Sequence, residues 1–219
     1  MGISAGEPWG EATNDAPAFT VEGDDTELAA RVRDVPNGAL VRFVPSESSD
    51  LARAVGLRAG SEPRGIALPL DVLDLGDRLA VSTVVLGAPP DRLTARRRRV
   101  PVVLRLDGRD PDPAVTRATT VVVATGQWLR GHDLVPRGHP GDARAEVQAY
   151  LLRPGERAAM RARLPAGAHL PHPHIVTRTA RTVEVRAPRA LPLEVDGRSV
   201  EPVTAVTVTL LPGRYRLLV

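Results

Sequence analysis

The pattern of apolar residues changes at Gly65, and this change constrains the fold more than any other feature of the sequence. Before it, residues 24–33 are predicted to form a helix, residues 39–44 a buried strand, and the residues that end at Gly56 a second helix. After it, one predicted helix at 154–164 interrupts many short apolar runs separated by Gly, Pro and Asp, which is typical of strands. These runs are 65–75, 79–86, 100–106, 119–124, 146–152, 182–186, 191–195, 204–210 and 214–219.

This order of elements predicts an α+β chain of three parts. Residues 1–17 hold acidic residues and no arginine, and we expect them to form a disordered leader. Residues 18–64 are expected to form a small α/β unit, and residues 65–219 a larger antiparallel β-sandwich or open barrel. Asp196-Gly197 and Pro212-Gly213 are predicted to be tight turns within the second unit.

The charge and cysteine content exclude some classes of protein. The chain of 219 residues has a pI of about 10.3 but a net charge of only +3, because its strongly basic residues are all arginines. The high pI is therefore weak support for a polyanionic partner. The absence of cysteine excludes disulfides and thiolate metal sites. Since no apolar run approaches bilayer length and no signal-peptide pattern is present, we expect a cytoplasmic location.

Two turns, each between a predicted strand and a predicted helix, have the layout of a phosphate-binding site. The first is Glu-Gly-Asp-Asp-Thr at 22–26, and the second begins Pro-Ser-Glu-Ser-Ser-Asp at 45–50. In such a site, backbone N–H groups at a helix N-terminus face the phosphate, yet both turns carry acidic side chains that repel an anion. The alternative interpretation is a pair of helix caps, with Asp24 capping the first helix and Ser48 or Ser49 the second.

Both turns resemble motifs of the diacylglycerol kinase and bacterial lipid kinase family, Gly-Gly-Asp-Gly-Thr and Pro-x-Gly-Thr-x-Asn-Asp-x-Ala-Arg. The first motif is matched by Gly23, Asp24 and Thr26, and the second by Pro45, Asp50, Ala52 and Arg53. The second half of the chain resembles the same family, in the right order, at 121–126, 136–147, 167–173 and 193–197.

This resemblance implies a nucleotide-binding lobe, truncated here to 18–64, and a β-sandwich, with an active cleft between them. It implies ATP and Mg²⁺ as cofactors and Asp142 as the general base. Read from its neighbours alone, Gly141-Asp142 is a turn before a strand, and Ala143 stands where the family has a glycine. Apart from the resemblance, Mg²⁺ bound by Asp24 or Asp25 would reverse the repulsion between the acidic first turn and a phosphate. The candidate magnesium ligands are therefore Asp24 and Asp25, and the candidate nucleotide-binding residues are Gly23, Asp24, Thr26, Ser48, Ser49 and Asp50.

Three hypotheses for the function follow. The first is a divergent lipid-kinase-like protein in which ATP-dependent phosphoryl transfer to a lipid hydroxyl is weak or lost and a ligand- or partner-binding role remains. The second is an active Mg²⁺-dependent lipid kinase with a nonstandard phosphate site. The third is a β-rich module that binds a protein or an anionic membrane surface.

Three closely spaced histidines, His169, His172 and His174, suggest a metal site at first sight. The prolines between them favour an extended chain, which would point neighbouring imidazoles apart. The family resemblance instead implies that His169 and His172 belong to a structural element near the interdomain cleft.

The densest charge run consists of Arg96, Arg97, Arg98 and Arg99. It is either a solvated surface or a contact for an anionic lipid surface, at roughly 1 kcal/mol per residue. Nucleic acid is a third alternative and an unlikely partner, because no aromatic residue for base stacking lies nearby in the sequence. We also expect a protein partner or a homodimer to cover the truncated lobe, and association with the inner membrane face would accompany lipid binding.

Overall fold

A computed structural model describes residues 9–219. Its strands are β1 (Glu11–Ala12), β2 (Phe19–Gly23), β3 (Ala39–Pro45), β4 (Ile66–Asp74), β5 (Leu79–Ala80), β6 (Thr83–Gly87), β7 (Val100–Pro101), β8 (Val103–Leu106), β9 (Arg117–Ala118), β10 (Thr120–Ala124), β11 (Trp128–Leu129), β12 (His132–Asp133), β13 (Ala145–Tyr150), β14 (Ile175–Ala180), β15 (Thr182–Val195) and β16 (Arg198–Leu218). The α-helices are α1 (Asp25–Arg33), α2 (Asp50–Val55) and α3 (Arg157–Arg163), and short 3₁₀ helices lie at Pro90–Arg92, Pro154–Glu156 and Leu164–Ala166.

One large, mostly antiparallel sheet organises the chain. Its main path runs β1-β4-β16-β15-β6-β10-β13-β14, and its two ends do not meet, so the described strands form no closed barrel. The strands β2, β3 and β16 are parallel neighbours and carry the α/β part. The 21-residue strand β16 pairs with β15 through its first half and with β3 and β4 through its second. The α+β architecture expected from the sequence is therefore confirmed, and the two predicted units share one sheet.

The two short helices pack on one face of the parallel strands. Leu28 and Val32 of α1 and Leu51 of α2 are buried against Val41 and Phe43 of β3. Each helix presents apolar residues three or four positions apart, which places them on one side of the helix. Burying each such side chain contributes about 1.5–3 kcal/mol, which fixes the direction of both helix N-termini.

The centre of the β-sandwich explains why some predicted strands are apolar throughout. In β10, Val121 and Val123 face the larger core cluster, whereas Val122 and Ala124 face a second cluster that includes Met160 of α3. A strand that is buried on both faces loses the alternation of polar and apolar residues. The apolar runs of β6 and β10 are of this kind.

Two predicted boundaries between strands are wrong. Residues 182–186 and 191–195 belong to the single strand β15, in which register shifts between Arg186 and Leu193 take up the irregular stretch. Pro212-Gly213 is not a turn, because β16 continues through it as a bulge between Leu211 and Tyr215. The Gly213 N–H donates to the Asp71 carboxylate at 2.8 Å, a long-range contact that holds the bulge.

Other local expectations have mixed outcomes. The Asp196-Gly197 turn is confirmed, with φ of 46° and 78°. The predicted strand at 79–86 divides into β5 and β6, because Val81 and Ser82 donate their N–H groups to the Asp196 carboxylate instead of a neighbouring strand. The strand β14 was not predicted at all.

Part of the predicted leader, residues 1–8, lies outside the described residues. Farther along it, Glu11–Ala12 pair with Ile66 and Ala67 of β4, so this short piece is a strand. The boundary between the two units at 64/65 stays a prediction. Within residues 9–219, none of the helices combines the length and apolar character that crossing a membrane requires.

Candidate functional site

The two acidic turns lie side by side at the carboxyl ends of two parallel strands. Gly23 ends β2 and is paired in register with Pro45, which ends β3. The Ser46 N–H donates to the Gly23 carbonyl at 2.7 Å and joins the turns directly. Helices α1 and α2 begin immediately afterwards. Because the carboxyl ends of parallel strands are where α/β sheets bind ligands, this edge is the first place to look for a site.

The N-terminus of α1 is closed by side chains of its own first turn. Asp24 caps the helix by accepting from the N–H groups of Thr26 and Glu27 at 2.9 and 3.2 Å. Glu27 reaches back and accepts from the Asp24 N–H at 2.6 Å, which completes the capping box. A Cβ atom placed on Gly23, at φ 134°, would lie 1.9 Å from the Glu27 carboxylate. The open face of the glycine is therefore covered by a carboxylate.

The N-terminus of α2 is occupied by the carboxylate of Asp25. Its Oδ2 accepts from the N–H groups of Asp50 and Leu51, both at 3.0 Å, and its Oδ1 accepts from the Ser49 hydroxyl. Ser49 in turn caps α2 by accepting from the Ala52 N–H at 3.0 Å. Asp25 is only 4% exposed. An internal anion thus fills the position at which a helix N-terminus would bind an external one.

Burial raises the pKa of Asp25 to about 6, and the nearby Asp50 carboxylate acts in the same direction. The hydrogen bonds from Ser49 and from the α2 backbone oppose this rise, because they stabilise the ionised form.

Arg198 links this edge to the β-sandwich. It lies directly after the Asp196-Gly197 turn, and its guanidinium contacts the Asp24 carboxylate at 2.6 Å and the Glu27 carboxylate at 3.5 Å. Burial tends to raise the pKa of Asp24, but the ion pair with Arg198 and the two backbone hydrogen bonds hold that pKa below its usual value. The family resemblance places an acid where Arg198 stands, so the arginine compensates the acidic first turn of α1.

A second link runs from Asp50 to the loop between β11 and β12. The Asp50 carboxylate accepts from the N–H groups of Arg130 and Gly131. The Arg130 side chain pairs with Asp91 and Glu194, and Arg130 itself has φ 48°. All carboxylates of this network have donors, so α2 is fixed to the sandwich rather than open to a ligand.

Asp196 forms a third, partly buried carboxylate close to Asp25. It accepts from the N–H groups of Val81, Ser82 and Thr83 at 2.8–2.9 Å. Burial, reinforced by the charge of Asp25, raises the pKa of Asp196 to about 8 despite these hydrogen bonds.

Asp142 lies beside a different cavity, of about 400 Å³, that Asp107, Arg144, Thr179 and Arg181 also line. Its carboxylate accepts from the Arg144 N–H at 3.0 Å, and burial raises its pKa above the usual value. In residues 9–219, no hydrogen bond or ion pair joins Asp142 to the two acidic turns. The cavity places acidic and basic side chains around one polar space.

Ala143 adopts φ 60°, in the left-handed region that favours glycine. Its N–H donates to the buried Asp71 carboxylate at 2.8 Å, and this bond holds the turn in place. The turn that the family builds with glycine is therefore kept although alanine stands there, at a cost of about 1–2 kcal/mol.

The remaining predicted residues are spread over the molecule. The Thr26 hydroxyl is buried and has no hydrogen-bond partner among residues 9–219, and the Ser48 hydroxyl contacts that of Ser46 at 2.9 Å. His169 is buried, its ring makes no hydrogen bond within the described part of the chain, and burial lowers its pKa. In residues 9–219, no three His, Asp or Glu side chains form a group that could hold a metal ion. The magnesium site at Asp24 and Asp25 stays a prediction, and both carboxylates already have donors.

The sequence interpretation missed Asp71, Arg130, Glu194 and Arg198 as site residues. Of these, only Arg198 could have been found from the sequence, because it follows the predicted Asp196-Gly197 turn and stands where the family motif has an acidic residue. The other three act through partners that are 39 to 142 residues away in sequence.

The run Arg96 to Arg99 is exposed and lies apart from these turns. Hydrogen bonds from a buried side chain hold the backbone of its loop. Arg157 of α3 is 2% exposed and donates to the carbonyl groups of Thr94, Ala95 and Arg97. Its other terminal nitrogen donates to the Leu152 carbonyl. A buried arginine therefore anchors the backbone that carries the exposed ones.

Comparisons with known proteins point in one direction. Residues 92–219 match the family model described as the YegS C-terminal NAD kinase beta sandwich-like domain. A crystal structure from Bacillus anthracis str. Sterne, of a protein classed as a diacylglycerol kinase, is 15% identical, with a TM-score of 0.72 over 91% of this chain and 76% of that chain. A diacylglycerol kinase structure from the same organism is also 15% identical, with a TM-score of 0.67 and coverage of 91% and 77%.

An NAD kinase from Archaeoglobus fulgidus, in complex with ATP, is 15% identical as well, with a TM-score of 0.52 and coverage of 92% and 77%. At this identity the likenesses show a shared fold. No curated protein matches the sequence.

Residues around the two turns do not suit a triphosphate in the observed arrangement. The first-turn N–H groups that would face its phosphates are bonded to Asp24, Asp25 and Glu27. In this arrangement, internal carboxylates accept from the N–H groups at the start of both helices.

Proposed function

This chain belongs to the family of YegS C-terminal NAD kinase beta sandwich-like domains, and from that premise we propose that it is a divergent diacylglycerol kinase-like protein. Its ATP-dependent phosphoryl transfer to a lipid hydroxyl is weak or lost, and a ligand-binding role remains. The observation that supports this proposal best is the Asp25 carboxylate on the first-turn N–H groups of α2.

An incoming phosphate would have to displace Asp25 or approach it. Displacement breaks three hydrogen bonds to a charged acceptor, each worth about 1.5–3 kcal/mol. Approach to about 4 Å costs on the order of 4 kcal/mol per pair of unit charges near a protein surface. Either cost is comparable to the binding free energy that a helix N-terminus and a few N–H groups can provide.

The Gly23 side of the site adds a second obstacle. Glu27 covers the glycine, and Arg198 pairs with Asp24 and Glu27. Arg198 comes from the β-sandwich, so opening this side requires the loss of an ion pair between the two parts of the chain. A nucleotide would therefore need both a moved glutamate and a released arginine.

The surroundings of Asp142, where the phosphate-accepting hydroxyl of a substrate would bind, differ from those of the two acidic turns. The turn of Asp142 keeps the backbone conformation that normally requires glycine, and a polar cavity lies next to the carboxylate. Strained backbone persists when surrounding contacts enforce it and is often associated with function. We therefore assign the retained ligand-binding role to the cavity at Asp142.

A kinase assay tests the proposal. Purified protein is incubated with ATP, Mg²⁺ and diacylglycerol in mixed micelles, and an Asp142→Ala variant is assayed in parallel. We expect no phosphorylated product above background from either protein. Ordinary turnover by the wild type that disappears in Asp142→Ala would refute the loss of activity.

The second candidate is an active kinase with a nonstandard site, in which Asp24 and Asp25 bind Mg²⁺, Ser48 and Ser49 contact phosphate and Asp142 is the base. The closeness of both turns at one sheet edge favours it. It requires strict Mg²⁺ dependence, and Asp24→Asn and Asp142→Asn should each abolish turnover. Unchanged turnover in either variant would rule out this set of active-site residues.

A third candidate is binding of an anionic membrane surface by Arg96, Arg97, Arg98 and Arg99. The anchoring of their loop by the buried Arg157 favours it, because a fixed backbone reduces the entropy lost on binding. Each arginine near an anionic surface contributes roughly 1 kcal/mol, and salt weakens the attraction.

Vesicle co-sedimentation tests this third candidate. An Arg96→Gln/Arg98→Gln variant should lose binding to phosphatidylserine vesicles at low salt, whereas the matched control Arg109→Gln/Arg189→Gln should not. Both control residues are exposed and lie outside the run. Equal vesicle binding by the two variants would rule out membrane binding by the run Arg96 to Arg99.

A further inference from the structure

A cavity with three arginines in its lining lies at the C-terminal end of α2. It has a volume of about 500 Å³ and is enclosed by the segment after α2 and by the ends of β3, β4 and β16. It meets α2 at Val55 and Gly56, the C-terminal end of the helix, whereas Asp25 contacts the N-terminal end. A volume of this size is within the range of about 300–1,000 Å³ that is typical of small-molecule sites.

The cavity has an apolar lining that comes from four separate parts of the chain. The apolar residues are Phe43, Val55, Leu57, Pro63, Ile66, Leu218 and Val219. Ile66 is 36% exposed and is one of two large apolar side chains in the described residues that reach this exposure. An exposed large apolar side chain inside a concavity gains free energy when an apolar ligand covers it.

The charged lining is predominantly positive. Arg42, Arg58 and Arg64 line the cavity together with one acid, Glu62. Glu62 pairs with Arg42 at 3.2 Å. The side chains of Arg58 and Arg64 make no ion pair or hydrogen bond within residues 9–219. Two cations therefore remain available, and a concave surface concentrates their field.

We propose that this cavity binds a small amphipathic anion, a carboxylate or phosphate monoester attached to a short apolar chain. The anionic group would pair with Arg58 and Arg64, whose planar guanidinium groups match both head groups. The apolar chain would lie against Phe43, Leu57 and Ile66. Neither a neutral chain nor a bare anion satisfies both parts of the lining.

Isothermal titration calorimetry of the full chain tests this site with four probes: octyl phosphate, octanoate, octanol and inorganic phosphate. Octyl phosphate and octanoate should bind with at least tenfold higher affinity than octanol or inorganic phosphate. Shortening the chain from octyl to hexyl phosphate should weaken binding by about fifteenfold, because each of the two methylenes removed contributes about fourfold. Whichever of octyl phosphate and octanoate binds with the higher affinity identifies the preferred anionic group.

Two variants connect the binding to these residues. Arg58→Gln/Arg64→Gln should weaken octyl phosphate at least tenfold, whereas the charge-matched control Arg109→Gln/Arg189→Gln should bind like the wild type. Ile66→Ser should reduce the difference between octyl and hexyl phosphate. Equal affinity of all four probes, or unchanged affinity in Arg58→Gln/Arg64→Gln, would overturn the assignment.

Octyl phosphate binding by the variants from the kinase and vesicle assays distinguishes this site from the functions proposed above. Its arginines belong neither to the two turns nor to the run Arg96 to Arg99, so binding of octyl phosphate should persist in Asp142→Ala and in Arg96→Gln/Arg98→Gln. Loss of binding in either of those variants would place the ligand elsewhere.

Discussion

The Asp25 carboxylate accepts a hydrogen bond from the Leu51 N–H at 3.0 Å, so the first helix of this chain supplies the anion for the N-terminus of the second. Helix N-termini attract anions through unbonded N–H groups and the helix dipole. In this fold that attraction is satisfied internally. The consequence is a sheet edge with the layout of a phosphate site and no free first-turn donors at Asp50, Leu51 or Ala52.

Removing the internal anion should create a site for an external one. In Asp25→Gly the N–H groups of Asp50 and Leu51 lose their acceptor, which should lower the free energy of unfolding by about 1–3 kcal/mol. Added sulfate should restore part of that loss by binding at the α2 N-terminus. Thermal unfolding in 0–50 mM sodium sulfate, at constant ionic strength, measures both effects. The wild type and Asp110→Gly, which removes an exposed carboxylate outside the two turns, serve as controls, and an equal sulfate response in all three proteins would contradict this account.

The stability of the protein should depend on pH through Asp196. Its pKa is raised to about 8, so between about pH 4 and 8 the folded chain keeps a proton that the unfolded chain has lost. The free energy of unfolding should therefore decrease as the pH rises, by about 1.4 kcal/mol per unit between pH 6 and 8. Asp25, with a pKa of about 6, adds a decrease of the same sign below pH 6.

The variant Asp196→Asn isolates this contribution. Urea unfolding at several pH values between 6 and 8 should show the decrease in the wild type and a flatter profile in the variant. Burial lowers the pKa of His139 and His169, which has the opposite effect on stability below about pH 6.5, but both proteins share it. Identical slopes in the two proteins would show that Asp196 does not hold its proton.

Arg157 should control the order of the arginine loop. In Arg157→Ala the carbonyl groups of Thr94, Ala95 and Arg97 lose their donor, and we expect a loss of about 2–3 kcal/mol of stability. Limited trypsin digestion should cut at 96–99 several times faster than in the wild type. Arg157→Lys keeps the charge but not the planar fork and should be intermediate. Equal cleavage rates in all three proteins would show that the loop is held by other contacts.

The turn beside Asp142 should become more stable with the family's glycine. Ala143 has φ 60°, so Ala143→Gly removes backbone strain and should raise the free energy of unfolding by about 0.5–1 kcal/mol. Ala145 is a buried strand residue without positive φ, and Ala145→Gly should be destabilising instead. Chemical denaturation of both variants provides the comparison. A destabilised Ala143→Gly would mean that the turn carries no strain.

The sequence was sufficient for features that depend on neighbouring residues. The capping box of Asp24 and Glu27, the Ser49 cap and the Asp196-Gly197 turn each involve residues within a few positions of one another, and all three are confirmed. The long-range contacts were not predictable. Pro212-Gly213 has the composition of a turn, and only the contact between Gly213 and Asp71, 142 residues apart, keeps it in a strand.

The same distinction applies to the candidate site. The sequence indicated that acidic residues stand at both turns, but not which way each one faces. Asp24 turns outward to Arg198, 174 residues later, whereas Asp25 turns inward to α2. Adjacent residues at the start of a helix point in different directions, and the packing of α1 on β3 decides which of them is buried.

Calorimetric titration of ATP with excess Mg²⁺ into the wild type and Asp25→Gly tests the central claim most directly. The account predicts no saturable heat for the wild type up to millimolar ATP, and measurable binding once the internal carboxylate is removed. Micromolar binding of ATP by the wild type, unchanged in Asp25→Gly, would contradict it.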